Sequence, residues 1–297
     1  MNLRTIVVAT DLSAPSRHAA DRAACLAAAH GARLTLAHVL QATALEDLRR
    51  WIGQEGDVGA ALQASAGEAL HALAAELRTR HGIEADEQLF CGNPVQEVSR
   101  LAEELNADLL VTGTRGLGFF RGVVLGSTAE RIAKRSSRPV LMVRQSVHEH
   151  YRRLLVPVDF SPWSVEAVAL ARLVAPDATL VLMHALELPF EGKLRYAGSD
   201  PAALQAYRDG ARREATERLH ALAAQFDVPA AQLRLSMPAG ADPWMLIAQE
   251  EQEHDCDLIV VGKHGRNALE ELLLGSTTRM VLAECSADVL VSTSRRD

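Results

Sequence analysis

The sequence predicts an α/β fold: two tandem doubly wound, Rossmann-like domains, each with a five-stranded parallel sheet and helices on both faces. Three observations support it. The chain has 297 residues, of which 48% are hydrophobic; short apolar runs alternate with helical patterns; and the whole pattern occurs twice. A chain of this length is typical of two domains. Strands that alternate with helices form parallel sheets, because right-handed crossovers place each helix on one face of the sheet.

The repeat is clearest in residues 113–128 (GTRGLGFFRGVVLGST) and 262–277 (GKHGRNALEELLLGST). Both read Gly, two residues, Gly, nine residues, Gly-Ser-Thr, at an offset of 149 residues (262 − 113 = 149). An apolar run that ends in Asp-x-Ser also occurs twice, at Asp11 and at Asp159. Such self-similarity indicates a duplicated domain. We expect domains at residues 1–146 and 147–297, joined by a polar connector near residues 145–151.

The first half follows the order βαβαβαβαβ, and the second half repeats it. A helix begins at Ser13 and ends at Gly31, and the second copy begins its first helix with Ser161-Pro162 as N-cap and first turn. Asn93 with Pro94 opens another helix. Apolar periodicity places the remaining predicted elements of the first half as follows: strands at 6–9, 34–39, 109–112 and 140–143, a helix over about 60–80, and a last helix from Ser127.

The glycine-rich segments are suited to holding phosphate. Gly113 and Gly116 can adopt positive φ and turn backbone N–H groups towards an anion. Gly126 stands at a helix entrance, where free N–H groups and the positive end of the helix dipole attract negative charge, and Ser127 and Thr128 add hydroxyls. The second copy repeats these features at Gly262, Gly265, Gly275, Ser276 and Thr277.

Asp11 and Asp159 complete the predicted sites. Each follows the first strand of its half, and ligands of parallel sheets bind beyond the carboxyl ends of the strands, at the switch point. Either carboxylate could accept hydrogen bonds from a ribose or a base amine. Structural alternatives stay open: Ser127 with Glu130 reads as a capping box, and each aspartate could cap the helix that follows it.

Two standard phosphate motifs are absent. Neither segment contains GxxxxGK[ST], and Gly116-Leu117-Gly118 is not completed to GxGxxG because Arg121 occupies the last position. The motif that is present, together with the first-strand aspartate, resembles the ATP-binding branch of the universal stress protein superfamily. The resemblance covers nearly the whole chain, as a tandem two-domain member.

The resemblance implies two ATP sites, one in each half, and Mg²⁺ could accompany the ATP. In that family the glycine loop holds the phosphates, the first-strand aspartate contacts the nucleoside, and a residue that ends the second strand lies against adenine. The nucleotide-binding residues implied for this chain are Asp11, Val39, Gly113, Gly116, Gly126, Ser127, Thr128, Asp159, Ala185, Gly262, Gly265, Gly275, Ser276 and Thr277.

The resemblance also implies edge-to-edge pairing of final strands. In a tandem chain, residues 140–143 and 289–292 could pair internally and cover an exposed β-edge, so that one chain imitates a dimer. A homodimer of the whole chain stays open. The segment from Leu188 to Pro201 is irregular in sequence and is expected to rim the second site.

Bulk properties restrict the remaining functions. A net charge of −7 provides no general basic surface for nucleic acid, and the N-terminal apolar run is too short for a signal peptide or a membrane span. Four widely spaced cysteines without CxxC are typical of buried thiols in the cytoplasm. His38 and His184 end equivalent strands without further ligands at metal spacing, so we expect a structural role and no metal site.

Three function classes follow. The first is a stress-response or regulatory protein in which ATP acts as a conformational ligand. The second is a slow ATPase or nucleotidyl-transfer enzyme; no catalytic residue is predicted, because a cradle of amides positions phosphate without supplying an activated nucleophile. The third is a nucleotide-free interaction scaffold, against which the retention of glycines in both halves argues.

Overall fold

The computed structural model describes residues 3–41, 58–114, 126–186, 188–198, 200–240, 242–265 and 274–293. The chain divides into two compact units. The first contains residues 1–150, 272–274 and 286–297, and the second contains residues 151–271 and 275–285. Both units are α/β, which confirms the predicted fold class.

The first unit contains a mainly parallel sheet with the strand order β3-β2-β1-β4-β5-β10. All neighbours are parallel except β5 and β10, which pair antiparallel with Val289 opposite Met142, so the final strands do pair within this chain. The elements are β1 (Thr5–Thr10), α1 (Ala14–His30), β2 (Arg33–Gln41), α2 (Val58–His81), β3 (Ala85–Gly92), α3 (Pro94–Glu104), β4 (Leu109–Gly113), α4 (Ser127–Arg135), β5 (Val140–Val143) and, from the end of the chain, β10 (Asp288–Ser292).

The core of this unit lies on both faces of β1 and β4. Ile6, Val7 and Val8 of β1 are fully buried, as expected for a strand covered by helices on both sides. Five of the buried positions of helix α1 are alanines, whose small side chains let the helix pack on β1. The helix ends where Gly31 adopts the left-handed conformation, with φ of 64°.

The second unit repeats the arrangement with the strand order β9-β6-β7-β8, and all of these neighbours are parallel. Its elements are β6 (Arg153–Pro157), α5 (Pro162–Val174), β7 (Thr179–Met183), α6 (Glu191–Tyr196), α7 (Pro201–Gln225), a short 3₁₀ turn (Ala230–Gln232), β8 (Leu233–Ser236), α8 (Pro243–Glu253), β9 (Leu258–Gly262) and α9 (Ser276–Glu284).

Helix α6 corrects the expectation of an irregular segment between Leu188 and Pro201. Glu191 pairs with Arg195 one turn later, at 2.9 Å, and also accepts a hydrogen bond from Arg208 of α7. The bond from Arg208 is the largest of the effects that lower the pKa of Glu191. Local ion pairs of this kind, which apolar periodicity does not register, favour a short helix here.

Cysteine burial differs from expectation at one position. Cys25, Cys256 and Cys285 are buried free thiols, whereas Cys91 is exposed near the end of β3, an outer strand with no fully buried residue. Burial raises the pKa of Cys25, and burial raises that of Cys256 to about 12. Within the described part of the chain, every helix is too short or too polar to cross a membrane.

A buried carboxylate, that of Asp288, joins β10 to the other elements of the first unit. Asp288 is fully buried, and its Oδ1 accepts hydrogen bonds from the backbone N–H groups of Arg144 (2.7 Å) and Gln145 (3.2 Å). Its Oδ2 lies 3.6 Å from Nε of Arg22, a helix α1 residue that is 5% exposed. This ion pair and the two backbone bonds hold together three segments that are distant in sequence.

We expect Asp288→Asn to lower the free energy of unfolding, measured by urea titration, by about 3 kcal/mol, because the change leaves the Arg22 guanidinium buried without its opposite charge. Asp86→Asn, at an exposed position of β3, is the matched control and should change it by less than about 0.5 kcal/mol. Equal small effects of the two substitutions would contradict a fastening role for Asp288.

Candidate functional site

The predicted site residues of each unit lie at the carboxyl edge of its sheet. In the first unit β1 lies between β2 and β4, and Ala9 is opposite Thr112, so Asp11 and Gly113 follow at the same edge. In the second unit β6 lies between β7 and β9, which brings Asp159 and Gly262 to the corresponding edge. Both positions are switch points, where connections leave the central strand in opposite directions.

The two aspartates hold the serines that cap the following helices. Oδ1 of Asp11 accepts hydrogen bonds from N (3.1 Å) and Oγ (2.5 Å) of Ser13, and Asp159 binds Ser161 in the same way, at 3.0 and 2.6 Å. Each serine Oγ accepts from the backbone N–H three residues later. The serines, and not the aspartates, are therefore the N-caps, so the alternative that the aspartates cap these helices is wrong.

The residue between aspartate and serine adopts a left-handed backbone conformation in both units. Leu12 has φ of 64° and Phe160 has φ of 60°. This conformation is costly for residues with large side chains, and such strain is concentrated at functional sites. The same strained turn therefore occurs twice, at equivalent positions.

The two repeated histidines have structural contacts. Nδ1 of His38 lies 2.8 Å from the carbonyl oxygen of Thr10, and Nδ1 of His184 lies 2.7 Å from that of Val158. Because a carbonyl oxygen only accepts, Nδ1 must carry the proton in each pair. Each ring thus ties the second strand of its unit to the end of the first. In the described residues, no group of three or more metal-ligating side chains occurs.

The helices that follow the glycine motifs begin without a side-chain cap. The N-cap residues are Gly126 for α4 and Gly275 for α9. Their own N–H groups donate to the carbonyl oxygens of Thr114 (2.7 Å) and Lys263 (3.0 Å), so these two amides are taken by protein acceptors. The amides that face out of each helix entrance are those of the first helical turn, where an α-helix offers no internal partner.

The capping-box interpretation of Ser127 fails for the same reason. Gly126 occupies the N-cap position and Ser127 is the first helical residue. Glu130 forms an ion pair with Lys134 at 2.6 Å. Ser127 and Thr128 are exposed at the helix entrance, as is Ser276, while Thr277 is half-buried.

The glycines of the second unit differ in what they accommodate. A Cβ at Gly262 would lie 2.8 Å from Cβ of Trp163, so this glycine lets the start of α5 pack on the end of β9. A Cβ at Gly265 would lie 3.2 Å from Oδ2 of Asp159, so the glycine loop and the carboxylate converge. At Gly275 a Cβ would meet nothing closer than 3.6 Å.

Three further predicted residues are placed as follows. Val39 lies inside β2, two residues before the strand ends at Gln41, and Ala185 lies two residues beyond the end of β7. Gly116 is outside the described residues. Val39 and Ala185 therefore do not occupy equivalent positions, since one lies within its strand and the other lies beyond it.

Sequence reasoning missed two buried polar residues and one contact. Lys263 and His264 directly follow β9 and are only 7% and 6% exposed, and the His264 ring packs edge-on against Trp163 with centroids 4.9 Å apart. Oγ1 of Thr278 donates to the carbonyl oxygen of Gly262 at 2.8 Å. The sequence offered one signal: Gly262 is followed by Lys263 and His264, whereas Gly113 is followed by Thr114 and Arg115. The two loops therefore use different side chains at these positions.

The model of the universal stress protein family matches residues 2–144 and again residues 150–293. A universal stress protein of Mycobacterium tuberculosis is 27% identical over 311 aligned residues, covering 97% of this chain and 96% of its own length.

Two solved structures are similar to the chain. A universal stress protein from Archaeoglobus fulgidus shares the fold over 97% of this chain and 98% of its own, with a TM-score of 0.69 and 22% identity. A universal stress protein in complex with cAMP is 31% identical over 48% of this chain and 98% of its own, with a TM-score of 0.38.

The capping geometry makes a direct prediction about two serines. In nucleotide-free protein, Ser161→Ala should lower the free energy of unfolding by about 1–2 kcal/mol, because it removes the cap of α5. Ser127→Ala should change it by less than about 0.5 kcal/mol, because Gly126 is the cap of α4. Urea titration of both variants measures the difference, and a larger loss for Ser127→Ala would contradict these cap assignments.

Proposed function

Since the chain belongs to the universal stress protein family, we propose that it is a stress-response or regulatory protein that binds ATP in both units as a conformational ligand. One observation carries the proposal: Oδ2 of Asp159 faces Gly265 beside the entrance of α9, a helix that begins without a side-chain cap. Hydrogen-bond donors for phosphate and an acceptor for a nucleoside therefore converge at one switch point.

The residues present are suited to the parts of Mg-ATP. First-turn amides of α9, with the hydroxyls of Ser276 and Thr277, would hold phosphate oxygens at the positive end of the helix dipole. The same hydroxyls are the oxygen ligands that a Mg²⁺ ion accompanying the phosphates would find there. The carboxylate of Asp159, which lies beside Gly265, would accept a hydrogen bond from the ribose or the base.

The first unit would use the corresponding groups. Ser127 and Thr128 are exposed at the entrance of α4, and Asp11 occupies the position of Asp159. Both carboxylates already accept an N–H and an O–H from the capping serines, which hold them in place as hydrogen-bond acceptors. This geometry supports a bound ligand, with at most slow hydrolysis, over a catalytic site built for turnover.

The setting of this function is also part of the proposal. Three buried free thiols support a reducing compartment, and we place the protein in the cytoplasm. Strand β5 has β4 on one side and β10 on the other, so it offers no open edge to a second copy of the chain. This supports a function carried out by the single chain.

The test is to denature the purified protein, identify any released nucleotide, and titrate the nucleotide-free protein with ATP and Mg²⁺, with cAMP as competitor. We expect two ATP per chain and turnover far below 1 per second. A protein that binds no nucleotide would be a scaffold, and turnover on the order of 1 per second would indicate an enzyme.

A substitution that removes ATP binding at the second site alone provides the second part of the test. Gly265→Val places a branched side chain against the Asp159 carboxylate and should reduce the stoichiometry from two ATP to one. Gly210→Val in α7 is the matched control, because an added Cβ there meets nothing within 4 Å, and it should leave both sites intact. An unchanged stoichiometry in Gly265→Val would contradict the second site.

A further inference from the structure

The strained turn of the second unit is held by a stack of three side chains. The Phe160 ring has the His184 ring on it, with centroids 4.6 Å apart and planes at 48°. The guanidinium carbon of Arg218, from α7, lies 3.8 Å from the Phe160 ring centroid. A cation over an aromatic face at this distance is an attractive contact. Helix α7 thereby reaches the turn that carries Asp159.

Among the described residues, the first unit has no such stack at its turn. Its residue in the strained turn is Leu12, which has no aromatic face. Helices α2 and α7 correspond through their buried positions at a constant offset of 149 residues, which aligns Arg218 with Ala69 (218 − 149 = 69). The buried positions that define this match are Ala66, Leu70, Leu73 and Ala74 in α2 and Ala215, Leu219, Leu222 and Ala223 in α7.

The stack acts on the residues that flank Phe160. Asp159 precedes it and Ser161 follows it, and these two are joined by the hydrogen bonds that fix the carboxylate. A left-handed aromatic residue is a strained element that relaxes unless its surroundings hold it. Contacts on the ring therefore stabilise the turn in which Oδ2 of Asp159 faces Gly265.

We propose that Arg218 is a positioning residue of the second site alone, which strengthens ATP binding there by holding Phe160, and hence Asp159, in place. The inference rests on the proposed nucleotide site and adds a difference in ATP affinity between the two sites. It makes the two sites of one chain unequal: the second is preorganised by a side-chain stack and the first is not.

Arg218 acts through Phe160 and does not serve as a phosphate ligand. Its guanidinium lies over the ring, its side chain is 48% exposed, and Oε1 of Glu214 lies 4.0 Å from one of its terminal nitrogens. Such a half-exposed contact has a modest effect. Loss of the stack should weaken ATP binding at the second site about two- to fivefold, the range that an exposed cation–π contact supplies.

The binding experiment compares three arginine variants by calorimetric titration with ATP and Mg²⁺. Arg218→Met, which keeps the stem and removes the charge, should weaken the second site, whereas Arg218→Lys should retain most of the affinity because it keeps a cation over the ring. Arg213→Met, at an exposed arginine of the same helix, is the control and should match the unaltered protein. Arg218→Met in a Gly265→Val background should leave the remaining first site unchanged.

A double-mutant cycle tests whether Arg218 acts through the ring. Phe160→Leu installs the residue of the first unit, and in that background Arg218→Met should have no further effect on ATP affinity. If Arg218→Met weakens binding equally with Phe160 and with Leu at this position, the arginine acts directly on the ligand and the positioning role is wrong.

Hydrogen exchange of the nucleotide-free protein provides a readout independent of ATP. In Arg218→Met, but not in Arg218→Lys, amides in residues 158–164 should exchange faster, while those in residues 9–16 should be unchanged. Faster exchange without any ATP binding would support the stack and overturn the proposed nucleotide site. If Arg218→Met binds two ATP with the affinities of the unaltered protein and its exchange is unchanged, the inference is overturned and the nucleotide site stands.

Discussion

The rest of the site depends on one contact, the carboxylate that holds the capping serine at the end of each central strand. One carboxylate oxygen binds both N–H and O–H of Ser13 or Ser161, and the serine in turn caps the helix. The contact fixes where the helix begins and forces the intervening residue into the left-handed region. It leaves the second oxygen of Asp159 directed to the glycine loop. The contact that starts the helix is therefore also the contact that positions the carboxylate of the candidate site.

The uncapped helix entrances complement these carboxylates. Helices α1, α3, α5 and α7 each have a side-chain cap, whereas α4 and α9 begin at glycines that supply none. Helices α6 and α8 also lack one, but they do not follow a glycine motif. A glycine at the N-cap costs only a few tenths of a kcal/mol relative to a capping side chain, and an anion at the helix entrance contributes about 0.3–1 kcal/mol. An anion bound at either entrance would therefore stabilise the helix that begins there.

The sequence predicted the fold from its strongest periodic elements. The buried strands at the centre of the sheet and the helix starts at Ser13, Asn93 and Ser161 were identified, because apolar runs and caps are local signals. Strand β3 was not located, since its outer position leaves every residue exposed or half-buried and removes the apolar pattern. Helix α6 was missed because ion pairs, which include one to Arg208 on another helix, favour it.

The site was predicted by residue type but not by role. Repetition identified Asp11, Asp159 and the glycines, yet it could not show that serines do the capping or that Gly262 is required by Trp163. The contact of Arg218 with Phe160 joins residues 58 positions apart (218 − 160 = 58), which no local pattern reveals.

The most direct test of phosphate capture at the helix entrances is the amide ¹H–¹⁵N spectrum during titration with Mg-ATP. The resonances of Ser127, Thr128, Ser276 and Thr277 should move downfield; if these four stay in place at saturating ATP, the account is contradicted.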